Sequence, residues 1–143
     1  MGEIIIREAR GDEVGDILEL WTAAGSGPSV TDTQEHLHML TEEYRDLFLV
    51  AEEDGRLVGS IIGGWDGWRG HIYRLAVHPG FRRRGLARRL TAEIESRLRA
   101  RGAIRIYALA ATKQDMGVKF WESIPYAKSK DIPYVQTFDE PSD

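Results

Sequence analysis

Cysteine is absent from the 143-residue chain, and this absence removes several kinds of chemistry at once. Disulfide cross-links, thiolate metal ligands and a cysteine nucleophile are all excluded. Histidine does not replace them as a metal site: His36 and His38, the closest pair of the four, lie two positions apart in a predicted helix and so point to different sides. We therefore expect no bound metal.

Long apolar runs are also lacking. No stretch reaches the length of a membrane span, and charge at Glu3 and Arg7 around only three isoleucines is unlike a secretion signal. With 42% hydrophobic and 29% charged residues, the composition is that of a soluble globular protein. We expect a cytoplasmic protein without a membrane partner, built as one domain over residues 1–143, with an acidic frayed tail at 139–143.

An excess of positive charge is missing. The 19 basic and 23 acidic residues give a net charge of −4, which disfavours a general nucleic-acid binder. Arginines nevertheless cluster between Arg82 and Arg105, and a basic patch of this kind suits a small polyanion. Neither G-x-x-x-x-G-K-[ST] nor G-x-G-x-x-G occurs, which argues against P-loop and Rossmann nucleotide sites.

The segment from Leu75 to Ala87 predicts a buried strand, a tight loop and the first turn of a helix. Pro79 cannot continue a strand ladder, and the next residue is a glycine, which can turn the chain. A helix that starts near Gly85 directs unpaired backbone N–H groups and its positive dipole end into an arginine-rich loop. This combination predicts a pyrophosphate site.

The remaining periodicities predict an α/β chain in the order β-α-α-β-β-β-α-β-α-β. Asp54-Gly55 joins two apolar runs, Leu47–Glu53 and Arg56–Trp65, as a hairpin, and Asp66-Gly67 predicts a second hairpin with Trp65 and Trp68 paired across it. The other predicted elements are strands at Glu3–Glu8, Gly70–Val77, Ile104–Ala110 and Tyr134–Phe138, and helices from Asp12 or Asp16, from Asp32, from Gly85 and from Gln114.

The central segment, Arg82-x-x-Gly85-x-Ala87 after a strand ending in Val-x-Pro, resembles the acetyl-CoA loop of the GCN5-related N-acetyltransferase (GNAT) superfamily, whose pattern is Gln/Arg-x-x-Gly-x-Gly/Ala. The resemblance extends from about Ile4 to Tyr126. It implies a mixed sheet whose fourth and fifth strands splay apart around acetyl-CoA. The residues it implies as cofactor contacts are Leu75, Ala76, Val77, Arg82, Arg83, Arg84, Gly85, Leu86, Ala87, Gln114 and Trp121.

The resemblance also implies a direct attack of a primary amine, from a small molecule or a protein, on the thioester. Some relatives carry a carboxylate base early on the fourth strand, where this chain has His71, and an imidazole can serve as a base near neutral pH. A partly exposed strand histidine beside a turn is the alternative for this residue. Trp121 stands at the position of the usual general-acid tyrosine. Since an indole is no practical proton donor, that role is vacant, shared with water, or moved to Tyr107 or Tyr126, of which we select Tyr126.

Two other functions stay open from the sequence. Trp121 and the missing carboxylates fit a non-catalytic module that binds or senses acyl-CoA, and the arginine-rich helix fits a small nucleic-acid binder. Relatives in the resembling superfamily often pair edge strands near the C-terminus between two subunits, which suggests a homodimer.

Overall fold

The computed structural model describes residues 2–25, 29–110 and 117–138. The chain is organised as two compact units, Met1–Leu109 and Ala110–Asp143. The predicted cofactor contact at Gln114 and the predicted frayed tail at 139–143 lie outside the described residues. Within the described ranges, no helix is both long and apolar enough to cross a membrane.

The first unit carries five strands and three α-helices within its described residues. They are β1 (Ile4–Glu8), α1 (Val14–Ala23), α2 (Gln34–Glu43), β2 (Phe48–Glu53), β3 (Arg56–Trp65), β4 (Gly70–Val77), α3 (Leu86–Ala100) and β5 (Ile106–Ala108). The sheet has the order β1-β2-β3-β4-β5, antiparallel except for the parallel pair β4 and β5. This mixed sheet confirms the predicted fold class. In the second unit, α4 covers Gly117–Glu122.

The turn between β2 and β3 follows the sequence prediction. Asp54 and Gly55 both have positive φ, 51° and 81°, the pattern of a tight hairpin turn whose twist matches that of the strands. The next turn differs from its prediction: Trp65 pairs with Gly70 rather than with Trp68. The reason is that the Asp66 carboxylate accepts hydrogen bonds from two backbone N–H groups of the loop, which closes a four-residue connection.

Helices cover both faces of the sheet. On one face, α1 and α2 pack against the strands in a core that includes Trp21, Leu37 and Ile62. On the other face lies α3, which buries a stripe at four-residue spacing, Leu86, Leu90, Ile94 and Leu98. The sheet side of this contact contains glycines: a Cβ at Gly63 would lie 2.9 Å from Ile94 Cγ1, so α3 rests almost directly on the strand backbone.

A β-bulge interrupts β4 and corrects the simple alternation expected for this strand. Ser60 pairs with Ala76 and Ile62 pairs with Tyr73, so β4 has one residue more than β3 in this interval, and Arg74 takes a φ of 53°. Tyr73 therefore lies on the sheet face that carries α1 and α2, whereas Val77, opposite Gly59, faces α3. The expectation that His71, Tyr73, Leu75 and Val77 share one face is wrong.

Two predictions near the C-terminus also need correction. The strand predicted at Ile104–Ala110 is shorter, because β5 begins at Ile106, and Ile104 is 99% exposed. The predicted final strand at Tyr134–Phe138 does not form: the described residues 125–138 contain no strand, and Tyr134 is 94% exposed. Aromatic and β-branched residues favour strands because they pack against neighbouring strands. The composition of this segment alone does not supply such neighbours.

Candidate functional site

The loop from the end of β4 to the start of α3 is shaped by backbone conformation. Residues Pro79–Phe81 form a single 3₁₀ turn, in which His78 Nδ1 accepts a hydrogen bond from the Gly80 N–H at 3.1 Å. Burial and the neighbouring Arg56 and Arg82 cations lower the pKa of His78, which favours the neutral ring that this bond requires.

Further along the loop, Arg83 and Gly85 both have positive φ, 65° and 75°, separated by one residue of negative φ. Alternation of this kind turns successive backbone N–H groups toward one concave side, as in anion-binding nests.

Gly85 occupies the N-cap of α3 and leaves the helix end accessible. Among the described residues, no side chain caps this end, and a Cβ built on Gly85 would meet no heavy atom within 4 Å. The first-turn N–H groups of this fifteen-residue helix therefore have no side-chain cap among the described residues, and the positive end of the helix dipole lies behind them. This geometry suits a phosphate group.

The three loop arginines differ in their surroundings. Arg82 reaches back to α1, where its Nη2 donates to the Ala24 carbonyl at 3.1 Å; its Nε is buried and has no hydrogen-bond partner in the described ranges. Arg84 lies over the Phe81 ring, 4.9 Å from its centroid, and 3.9 Å from a Glu53 carboxylate oxygen. Arg83 is exposed. Arg82 thus connects the loop to the rest of the unit, while the other two cations remain accessible to an anion.

β4 and β5 separate beside this loop. The two strands pair over Gly70–Ile72 and Ile106–Ala108, and the last contact is a long one, from the Leu109 N–H to the Ile72 carbonyl at 3.5 Å. From Tyr73 to Val77, no described strand pairs with that edge of β4. The sequence-predicted contacts Leu75, Ala76 and Val77 all lie in this part of the strand and lead directly into the loop.

A buried network, missed by the sequence reasoning, holds the bulge. Trp21 Nε1 donates to Ser60 Oγ at 2.8 Å, and Ser60 Oγ donates in turn to the Arg74 carbonyl at 3.1 Å. The Arg74 guanidinium lies 4.7 Å from the Trp21 ring centroid and pairs with Asp32, and burial lowers the pKa of Arg74. Ser60, a fully buried polar residue in an apolar strand, is the one member that a sequence pattern could have marked.

His71 lies near the start of β4, between two tyrosines. Its ring stacks with Tyr73 at a centroid distance of 6.0 Å and with Tyr107 of β5 at 6.1 Å. Its Nε2 is 3.5 Å from Asp66 Oδ2, and the side chain is 32% exposed. Burial, followed by the Asp66 charge, raises the pKa of Tyr73, so this phenol stays protonated at neutral pH.

In the second unit, Trp121 and Tyr126 lie side by side. Their ring centroids are 4.8 Å apart with a tilt of 57°, and the ring of Phe120 packs edge-on against Trp121 at 5.0 Å. Trp121 is 9% exposed, and Tyr126 is partly buried. The indole thus belongs to an aromatic cluster with a phenol as its neighbour.

Known proteins resemble this chain in sequence and in fold. The model of the acetyltransferase (GNAT) family matches residues 14–123. An acetyltransferase of Photorhabdus laumondii is 39% identical over 122 residues, which span 85% of each chain. An acetyltransferase of Pectobacterium atrosepticum is 36% identical over 121 residues, 85% of this chain and 86% of the relative. The PaiA N-acetyltransferase of Thermoplasma acidophilum, solved in complex with coenzyme A, shares the fold, with a TM-score of 0.70 at 18% identity over 85% of this chain and 87% of that one.

Proposed function

The chain belongs to the acetyltransferase (GNAT) family and is an N-acetyltransferase, and on this premise we propose that it transfers the acetyl group of acetyl-CoA to a primary amine of a small molecule or a protein. The amine attacks the thioester directly while both substrates are bound. The observation that carries the proposal is the accessible N-terminus of α3, with Gly85 at φ 75°, next to the stretch of β4 from which β5 has separated.

The residues present fit acetyl-CoA. The backbone N–H groups at Gly85, Leu86 and Ala87 would hold the pyrophosphate, with Arg83 and Arg84 adding charge. The backbone of Leu75 to Val77 would bind the pantetheine arm along the open edge of β4. The bound thioester supplies an activated acetyl group.

The chain's own contribution begins with the amine, which must lose a proton to react. We assign the base role to His71, which acts directly or through one water molecule. Its ring stacks with two tyrosine neighbours and stays partly open to solvent, so an acceptor can reach it. His71→Gln is expected to flatten the pH–rate profile, and an unchanged profile with a good acceptor would remove this assignment.

For the proton that the departing thiolate takes up, we propose Tyr126. By the family resemblance, Trp121 stands at the position of the usual general-acid tyrosine, and an indole N–H donates a hydrogen bond but not a proton. The adjacent phenol of Tyr126 can donate one. Tyr126→Phe should lower kcat, whereas Trp121→Tyr in the same background should restore part of it. If neither change affects kcat, solvent supplies the proton.

Calorimetry and a turnover assay test the function together. The protein is titrated with acetyl-CoA and with desulfo-CoA at two salt concentrations, beside an Arg84→Ala, Gly85→Glu variant that fills the loop with bulk and negative charge. Free thiol is then measured with a panel of diamines, amino acids, aminoglycosides and peptides with free N-termini or lysines.

We expect binding by the parent, loss of binding in the variant, and CoA release with at least one amine. Binding without release from any amine would favour the non-catalytic acyl-CoA module. Binding of generic RNA or DNA that weakens steeply with salt concentration, with no CoA binding, would favour the nucleic-acid-binding hypothesis.

A further inference from the structure

We infer that Asp66 is a positioning residue for the transfer reaction: its carboxylate keeps the His71 ring in the form that carries its proton on Nε2 and leaves Nδ1 free to accept a proton from the amine. This inference rests on the proposed base role of His71. The carrying observation is that Asp66 Oδ2 lies 3.5 Å from His71 Nε2, while Oδ1 of the same carboxylate is anchored to the loop backbone and the imidazole stacks with two tyrosines.

The loop between β3 and β4 fixes Asp66 independently of His71. Its Oδ1 accepts hydrogen bonds from the Arg69 N–H at 2.7 Å and from the Trp68 N–H at 2.8 Å. These two bonds lower the pKa of Asp66, so the group is a carboxylate at neutral pH. With Oδ1 occupied by the backbone, Oδ2 is the oxygen directed at His71.

The other groups around the imidazole affect the orientation of the ring rather than the position of its proton. Tyr73, on the same strand, and Tyr107, on β5, stack with the ring at interplanar angles of 18° and 22°. Arg69 donates to the Tyr107 hydroxyl at 3.1 Å and lies 3.9 Å from the Trp68 ring centroid. Within the described ranges, Asp66 is the group placed to bond a ring nitrogen of His71.

The chemistry follows from what a carboxylate can do. An ionised carboxylate only accepts hydrogen bonds, so the neutral imidazole places its N–H at Nε2 and its lone pair at Nδ1. When the amine attacks, its proton moves to Nδ1, and the resulting imidazolium keeps its Nε2–H bond to a negative group. Release of that proton to water returns the ring to its starting form. The distance of 3.5 Å between Nε2 and Oδ2 is long for a hydrogen bond. We expect it to shorten when the imidazolium forms, as catalytic hydrogen bonds of free enzymes often do.

Asp66→Asn tests the inference with little change in shape. The amide oxygen can still accept the two backbone N–H bonds, but an NH₂ group replaces Oδ2 and donates to Nε2, which drives the ring to the Nδ1–H form. The ¹⁵N shifts of the His71 ring, recorded in the free protein at alkaline pH, distinguish the two forms. We expect Nε2–H in the parent, Nδ1–H in the variant, and a kcat lowered roughly 10²- to 10⁴-fold with an unchanged KM for acetyl-CoA.

Asp54→Asn is the matched control, because it makes the same chemical change in the turn at the other end of β3, at a φ that asparagine tolerates. It should alter neither the ring form nor kcat. If Asp66→Asn unfolds at a lower temperature than the control, Asp66→Ser replaces it, since a serine hydroxyl can accept the loop N–H groups but is too short to reach His71.

His71→Gln and Asp66→Asn distinguish loss of the base role of His71 from loss of the positioning role of Asp66. If His71→Gln retains full activity, the base assignment fails, whatever the Asp66 variants do. If His71→Gln abolishes activity while Asp66→Asn keeps both the Nε2–H form and kcat, the role of Asp66 is overturned. Loss of kcat with no change in the ring form would also overturn it, since Asp66 would then act by another route.

Discussion

Gly85→Ala adds one methyl group at the end of α3 where the proposed phosphate site lies. The structure separates two effects of this change. No described atom lies within 4 Å of the new Cβ, so the free protein suffers no clash, and its only penalty is the φ of 75°. An L-residue in this region loses about 1–2 kcal/mol of folding free energy relative to glycine.

Acetyl-CoA binding is expected to weaken as well, because the added methyl group would crowd a phosphate oxygen bound at the backbone N–H groups of the proposed site. A hydrogen bond to a charged group contributes about 1.5–3 kcal/mol. Since about 1.4 kcal/mol corresponds to a tenfold change in affinity, the loss of one such bond weakens acetyl-CoA binding roughly 10- to 100-fold.

Gly55→Ala provides the matched control. Gly55 has a φ of 81° and also meets no described atom within 4 Å, but it lies in the turn between β2 and β3. Urea denaturation should show a similar decrease in the free energy of unfolding for both variants. Calorimetry should show weakened acetyl-CoA binding in Gly85→Ala only. Equal affinities in the two variants and the parent would refute the phosphate site at this loop.

Two further predictions concern stability. Gly63→Ala puts a Cβ 2.9 Å from Ile94 Cγ1 and should lower the free energy of unfolding by about 1–3 kcal/mol, whereas Gly15→Ala, in open space within α1, should raise it by about 0.5–1 kcal/mol; urea denaturation measures both. Burial raises the pKa of Glu13, but its hydrogen bonds with Arg7 and the Arg10 backbone lower the pKa overall. The stabilisation that Glu13 gives the folded state is therefore complete above the ordinary pKa of 4.5, and it is lost as the pH falls through the lowered pKa. Glu13→Gln should therefore lose about 2 kcal/mol at pH 7 and show a shallower loss of stability on acidification, and parallel curves for parent and variant would contradict this.

Elements governed by local chemistry were predictable from the sequence. Asp54-Gly55 can supply two positive φ angles, and the structure has them there. The apolar residues of α3 recur every four positions, and the helix buries that stripe. The position of the loop between β4 and α3 was predictable from two residues. Pro79 cannot continue the strand, and Gly85, which has no side chain, precedes the helix.

Elements governed by tertiary contacts were not predictable. The bulge depends on a contact between Trp21, Ser60 and the Arg74 carbonyl, which are far apart in sequence. The loop after Trp65 depends on which backbone groups the Asp66 carboxylate bonds, and the aspartate-glycine pair does not specify this. The residues proposed as base and acid rest on the family resemblance, and the variants above test them.

The extra residue in β4 also changes how this strand must be compared with others. The residues before Arg74 and those after it do not follow one continuous alternation between the two faces of the sheet. At the bulge the alternation shifts by one residue. Aligning β4 with an unbulged strand by hydrophobic pattern alone therefore misassigns one of the two halves. A one-residue gap between Tyr73 and Ala76 restores both, so that the proposed base and the proposed cofactor edge are each compared with their true counterparts.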